Sequence, residues 1–275
     1  MTTKQPLISF VGAGNMASAI TGGMISYGIP ADSIRAADPF PQSRENMAAQ
    51  FGIQTFANNH DALQSADVVV LAVKPQQMQA VCGEIRDTLV QQQPLVISIA
   101  AGISCQALEN WLDDGLSIVR CMPNTPALVQ KGASALFANA NVSPAQKQLA
   151  EQLLEAIGTV DWVDDETLLN AVTAVSGSGP AYFFLVMEAL TDAGIKLGLE
   201  PETARNLTLQ TALGAATMAC ESDVDVAELR RRVMSPGGTT EAAIKQFEAD
   251  NFRQLFNNAV QAACERSITL AQELE

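Results

Sequence analysis

Leu7-Ile8-Ser9-Phe10-Val11-Gly12-Ala13-Gly14-Asn15-Met16-Ala17 is the stretch that decides how the rest of the chain is read. The apolar run up to Val11 has the character of a buried strand. Gly12 breaks it, and a helix restarts carrying Ala19, Ile20, Met24 and Ile25. Small residues occupy the first, third and sixth positions of the turn, each for a mechanical reason. Gly12 permits a tight bend, Gly14 leaves room for a pyrophosphate against the backbone, and Ala17 lets the helix pack close to the strand. The helix start offers free N–H groups and the positive end of its dipole to phosphates. Val11 to Met16 is therefore read as a dinucleotide seat, the alternative being a structural turn in an unrelated α/β domain.

At 275 residues the chain suffices for one large domain or two modest ones. A net charge of −14 argues against nucleic acid and anionic lipid as partners. Met1-Thr2-Thr3-Lys4-Gln5-Pro6 has no long apolar region, so no signal peptide is expected. No uninterrupted apolar run reaches membrane-spanning length. Cys82, Cys105, Cys121, Cys220 and Cys264 are scattered and free of CxxC spacing. They read as buried or semi-buried thiols in a reducing cytoplasm, not as a disulfide frame or a metal site.

Further along, Ser33 to Asp38 reads as a second strand ending in an acid. Asp38 lies about twenty residues beyond the glycine turn, where a dinucleotide fold places the group that faces the adenosine ribose. A carboxylate there favours NADH over NADPH, with Arg35 and Arg44 near enough to offset its repulsion of a 2′-phosphate. Its competing role is to start the turn Asp38-Pro39-Phe40-Pro41. A helix is expected over 43–52 and a strand over 53–56. Asn59 is a candidate for the adenosine end of the coenzyme or for capping the next helix. His60, the one histidine, reads as solvated.

Asp67 to Val73 is the clearest central strand, apolar on both faces. Ligands bind beyond the carboxyl ends of such strands, which puts Ala72, Val73, Lys74 and Pro75 along the coenzyme. Lys74 has a solvated loop charge as its competing reading. A helix (77–90), a strand (95–99) and the small-residue turn Ala100-Ala101-Gly102 follow. After a helix (104–112) and a strand (117–121), Met122-Pro123-Asn124-Thr125-Pro126 is a rigid loop at the same edge. Asn124 is its candidate for the nicotinamide end. Strands over 133–138 and 159–163 flank a helix over 144–157. Together these predict a doubly wound parallel sheet.

The pattern changes near Asp164-Asp165-Glu166, and no strand is expected beyond it. The division is a dinucleotide-binding domain over 1–164 and an all-helical domain over 165–275. Ser176-Gly177-Ser178-Gly179-Pro180 is expected to interrupt a helix that resumes over 181–197. That helix is apolar nearly all round, more than so small a domain can bury, which suggests burial against another subunit. Met234-Ser235-Pro236-Gly237-Gly238-Thr239-Thr240 leads into a helix expected from Glu241. It reads either as a small anion site or as a helix cap supplied by Thr239 or Thr240.

Triads, GxSxG elbows and metal-ligand clusters are missing from the sequence. A dinucleotide site with almost no acid–base equipment suits hydride transfer to an electrophile already activated, such as a C=N bond.

Six stretches in order resemble the pyrroline-5-carboxylate reductases: F-V-G-A-G-N-M-A (10–17), A-V-K-P (72–75), A-A-G (100–102), M-P-N-T-P (122–126), S-G-S-G-P-A-Y (176–182) and S-P-G-G-T-T (235–240). The resemblance covers essentially the whole chain. It implies a Rossmann domain followed by a helical domain that interleaves with a partner's into dimers, in some members stacked into larger rings. It implies NADPH- or NADH-dependent reduction of 1-pyrroline-5-carboxylate to L-proline. Residue by residue, Val11, Gly12, Ala13, Gly14, Asn15 and Met16 with Ala72 to Pro75 would hold the coenzyme. Asn59 would meet the adenosine ribose or its phosphate. Ser235 and the backbone of Gly237, Gly238 and Thr239 would hold the substrate carboxylate, and the Thr240 hydroxyl the ring nitrogen. Asp38 stands where members favouring NADPH often carry a small hydroxyl residue, so the coenzyme preference stays open. A β-hydroxyacid dehydrogenase, with Lys196 as its base, and a non-catalytic dinucleotide sensor are the rival readings.

Overall fold

The computed structural model describes residues 5–274. Met1 to Lys4, part of the segment read above as no leader, and Glu275, the expected end of the last helix, lie outside the described residues. The contacts divide the chain into two compact units, Met1–Ser178 with Ala263–Glu275, and Gly179–Ala262.

The first unit carries β1 (Ile8–Val11), α1 (Asn15–Ser26), β2 (Ile34–Ala37), α2 (Pro41–Phe51), β3 (Gln54–Phe56), α3 (Asn59–Leu63), β4 (Val68–Leu71), α4 (Pro75–Gln92), β5 (Leu95–Ser98), α5 (Cys105–Trp111), β6 (Ser117–Met122), β7 (Gly132–Ala138), α6 (Pro144–Glu155), β8 (Gly158–Trp162) and α7 (Leu168–Val172). The strands form one sheet in the order β3-β2-β1-β4-β5-β6-β7-β8. Every residue of β1, β4 and β5 is buried, as their unbroken apolar runs require. One face packs Phe10, Ile20, Met24, Ile97 and Leu153; the other packs Val69, Leu71, Met78, Ile85 and Leu108.

β7 corrects the expectation of a wholly parallel sheet, because it runs antiparallel to β6. A parallel return needs a crossover of a dozen or more residues. Here the link holds only a short 3₁₀ turn, Thr125–Val129, so the chain doubles back. The remaining pairs are parallel. The strand order reverses between β1 and β4, and the amide of Ala72 donates to the carbonyl of Val11 at 2.8 Å. The carboxyl ends of these two strands therefore open the crevice where such sheets bind ligands.

The expected interruption at 176–180 takes the form of a π turn and a bend at Ser178 inside one helical stretch, not of a loop. The chain passes from α7 through a π turn, Thr173–Gly177, into α8 (Gly179–Lys196). The Ser178 amide bonds the Thr173 carbonyl at 2.8 Å. Pro180 has no N–H for the carbonyl four residues back, that of Ser176. That carbonyl accepts from the Asn124 side chain at 3.1 Å instead. The continuous helix Leu168–Lys196 is long and apolar enough, by length and composition, to cross a membrane. Reading the stretch as broken had hidden that length.

The second unit holds α8, then α9 (Pro201–Glu221), α10 (Val226–Arg232), α11 (Thr239–Ala249) and the first half of α12 (Phe252–Leu274). It contains no strand among the described residues. Its apolar side chains are largely open: Phe183 is 67% exposed, and Phe184, Leu185, Leu190, Leu213 and Met218 are exposed as well.

Candidate functional site

At the end of β1 the backbone turns at Gly12 with φ +101°. A Cβ added there would stand 2.7 Å from the Ala72 carbonyl oxygen, so only glycine fits beneath the end of β4. The Gly12 amide donates to the Ala37 carbonyl at 2.8 Å. Gly14 is the opposite case: a Cβ there would meet nothing within 4 Å. Its missing side chain serves no packing inside the protein and leaves an open cradle over the backbone. Gly14 is also the N-cap of α1, makes no side-chain cap and is followed by no acid in the first turn. The first N–H groups of α1 are thus unmasked, with the positive dipole end behind them. Ala17 is buried against the core and lets α1 sit close. These features fit the pyrophosphate of a dinucleotide.

The other predicted coenzyme residues lie along the same sheet edge, beyond the carboxyl ends of β2 to β6. Ala72 and Val73 are half-buried, Lys74 is the exposed N-cap of α4, and Pro75 is its first residue. α4 likewise starts with no side-chain cap and no acid in its first turn. Ala100 is buried just past β5. Asn59 is the first residue of α3 and donates to Glu84 at 3.1 Å. Capping that helix falls to its neighbour Asn58, whose side chain accepts from the Asp61 amide. Asn124 is 8% exposed, and its amide is spent within the fold. The oxygen accepts from the Ala133 amide at 2.9 Å and the nitrogen donates to Ser176.

Asp38 combines two roles. Its Oδ1 accepts from the Phe40 amide at 2.9 Å, which starts the turn as its competing reading had it. Its Oδ2 accepts from the amide of Ala13, inside the glycine turn, also at 2.9 Å. Arg44 donates to the carbonyls of Asp38 and Pro39. His60 is exposed and lies 3.1 Å from Thr88 Oγ1 through Nδ1.

In the second unit, Ser235-Pro236-Gly237-Gly238 closes on itself, the Gly238 amide donating to the Ser235 carbonyl at 2.9 Å. Proline second and Gly237 third with φ +72° give a type II turn. α11 begins at Thr239, two residues earlier than expected. Its N-cap is Gly238, so neither Thr239 nor Thr240 caps it, and no side-chain cap forms. Sequence reasoning missed Glu241 here. Its Oε2 accepts from the Gly237 amide at 2.6 Å, and its Oε1 pairs with Lys245 at 2.8 Å. Those two bonds hold its carboxyl below the usual range, the Lys245 bond most strongly. An acid in the first turn of a helix is a helix-start signal that was present in the sequence, and here it reaches back past the N-cap to Gly237.

The five cysteines are free thiols. Burial pushes the Cys82 and Cys121 thiols up to about 12, so neither forms a thiolate at neutral pH. Cys105 is raised further, by burial and then by Glu166. Cys220 departs from the expectation and is exposed. Among the described residues, no group of His, Cys, Asp and Glu could hold a metal ion.

Comparison with known proteins gives these geometries a relationship. Residues 166–270 match the family model described as pyrroline-5-carboxylate reductase dimerisation, and residues 7–102 match NADP oxidoreductase, coenzyme F420-dependent. The membrane-length helix Leu168–Lys196 lies inside the first of these matches. A pyrroline-5-carboxylate reductase of Pseudomonas aeruginosa is 58% identical over 98% of this chain and 99% of its own. The solved structure of a pyrroline-5-carboxylate reductase from Coxiella burnetii superposes with a TM-score of 0.94 at 46% identity, covering 97% of this chain and 99% of that one. The Plasmodium falciparum enzyme, solved with NADP bound, gives 0.86 at 32% identity, covering 98% and 99%. An open glycine turn after β1, a helical unit matched as a dimerisation module and identity sustained from end to end agree, and the chain belongs to the pyrroline-5-carboxylate reductase family.

Proposed function

We propose that this chain reduces the C=N bond of 1-pyrroline-5-carboxylate to give L-proline, with NADPH or NADH as the reductant. The observation that carries the reading is the turn from Val11 to Met16, which is open at Gly14 and backed by the uncapped start of α1. Val11, Gly12, Ala13, Gly14, Asn15 and Met16 hold the coenzyme phosphates. Asp38 and Asn59 take its adenosine half. Ala72, Val73, Lys74, Pro75, Ala100 and Asn124 line the path to the nicotinamide. The coenzyme supplies hydride chemistry when bound; the chain's own residues bind and orient.

Ser235, with the backbone of Gly237, Gly238 and Thr239, grips the substrate carboxylate. The Thr240 hydroxyl hydrogen-bonds the ring nitrogen and aligns the imine. The hydroxyls of Ser235, Thr239 and Thr240 have no partner among the described residues, which leaves them available for this. Glu241 already occupies the Gly237 N–H and the Ser235 carbonyl the Gly238 N–H, so those two donors join only if the Glu241 carboxylate moves aside and the turn opens. Thr240→Ala is expected to lose most of the activity while coenzyme binding persists. Wild-type turnover in that variant would remove the role given to Thr240.

The division of labour follows the chain: residues 1–164 for the coenzyme, and 165–275 for the substrate and for pairing. The match of 166–270 to a dimerisation module supports a homodimer through the helical domain, with stacking into a ring as its extension. The net charge of −14 supports a protein working away from nucleic acid and anionic membrane surfaces, and the scattered cysteines free of CxxC spacing support the reducing cytoplasm. Loss of the reduced coenzyme's near-ultraviolet absorbance with pyrroline-5-carboxylate, run once with each coenzyme, tests the reaction. No loss with either would overturn it.

A further inference from the structure

The glycine turn is held from two sides, one of them a side chain. Gly12 lies under the end of β4 and bonds the Ala37 carbonyl. Ala13 instead reaches a carboxylate 25 residues away, that of Asp38, at 2.9 Å. The second oxygen of Asp38 holds the Phe40 amide at the same distance. Behind them, Arg44 Nη1 clamps the carbonyls of Asp38 at 2.7 Å and Pro39 at 3.0 Å. Asp38 thus joins the loop after β2 to the turn after β1, and α2 fixes the loop.

We propose that Asp38 is a positioning residue for the phosphate turn, its carboxylate holding the Ala13 amide so that the N–H groups at the start of α1 stay aimed outward. This rests on reading the turn as the coenzyme's seat. A charge-assisted bond to a backbone N–H is short and directional, and it keeps the turn in its binding shape before the ligand arrives. A carboxylate that only read ribose hydroxyls would act on the adenosine half alone. One that orders the turn acts on the phosphates that NADH and NADPH share. Replacing Asp38 is then no clean switch toward NADPH: relief of repulsion at a 2′-phosphate is offset by a loosened turn.

Inorganic pyrophosphate separates the two roles, since it lacks a ribose. Binding of NADH and NADPH to the full chain is read from quenching of Trp111 and Trp162 fluorescence, with pyrophosphate as competitor. Asp38→Asn is expected to weaken both coenzymes and pyrophosphate by about tenfold, the scale of one lost charge-assisted hydrogen bond. Tighter NADPH binding with unchanged pyrophosphate competition would overturn the proposal and leave Asp38 a reader of the ribose. If Asp38→Asn does not fold, Arg44→Ala decides. It frees the loop and spares the carboxylate, and it is expected to weaken pyrophosphate by a smaller factor; no change overturns the proposal. Imine turnover is not part of the readout. A wild-type chain that binds coenzyme without reducing the imine would count against the proposed reaction and leave this test standing.

Discussion

Gly12 and Gly14 stand two residues apart and are glycine for opposite reasons, which makes them a paired test. At Gly12 the positive φ and the Ala72 carbonyl oppose any side chain. Gly12→Ala is expected to cost about 2–4 kcal/mol in stability, read from the urea midpoint, and to abolish coenzyme binding. At Gly14 φ is −79° and the space is open. Gly14→Ala is expected to cost at most about 1 kcal/mol of stability, the scale of an N-cap change, yet to weaken coenzyme binding strongly. Equal loss of stability in both variants would contradict the cradle. Glu241 gives a second residue-scale prediction. Its pKa is depressed in the folded state by Lys245 and the Gly237 amide. Its bond to the turn is therefore complete above the ordinary carboxylate range and is lost as pH falls through the lowered value. The Gly237 amide resonance should titrate below that ordinary range, and Glu241→Gln should abolish the titration.

Among the elements, β6, β7 and the π turn meet at one buried amide. Asn124 satisfies the Ala133 N–H at the start of β7 and the Ser176 carbonyl that Pro180 leaves unserved. Asn124→Ala is expected to destabilise the fold by about 1–3 kcal/mol, because two part-buried main-chain groups lose their partner. Asn124→Asp keeps the acceptor for Ala133 but sets a carboxylate oxygen against the Ser176 carbonyl at a place 8% exposed, so it should cost at least as much; denaturant melts of the two variants check the order. The same place shows what sequence could and could not disclose. β1, its turn and α1 were legible because each signal is local: an apolar run, a glycine, a helical period. The strand character of β7 was legible too, but its direction depended on the short link from Met122, which the alternating pattern obscured. The π turn was hidden because glycine and proline together read as a break. The tie from Asp38 to Ala13 spans strands neighbouring only in space, so no local pattern announces it. In the Ser235–Gly238 loop the glycine and proline signals were readable, while the seat taken by Glu241 needed the helix start placed to within a residue.

For the whole molecule, the open question is what covers the helical unit. Phe183 is 67% exposed in the single chain and Leu185 is 64% exposed. Exposure of this kind over a helix apolar nearly all round is what a monomer avoids, and a dimerisation module matches the same residues. In the isolated chain a charge at Phe183 would cost little, because the side chain already faces solvent. In a dimer it would face a partner. Burying one such ring contributes about 1.5–3 kcal/mol, and a symmetric pair counts it twice. Phe183→Glu is therefore expected to raise the dimer dissociation constant by about a hundredfold or more, with the first unit still folded and able to bind coenzyme. Sedimentation at several protein concentrations reads the mass, and fluorescence quenching by NADPH reads the cradle. A wild-type chain that stays monomeric at high concentration would show that this face is covered by something other than a second copy. A variant that keeps the wild-type mass would move the interface away from Phe183.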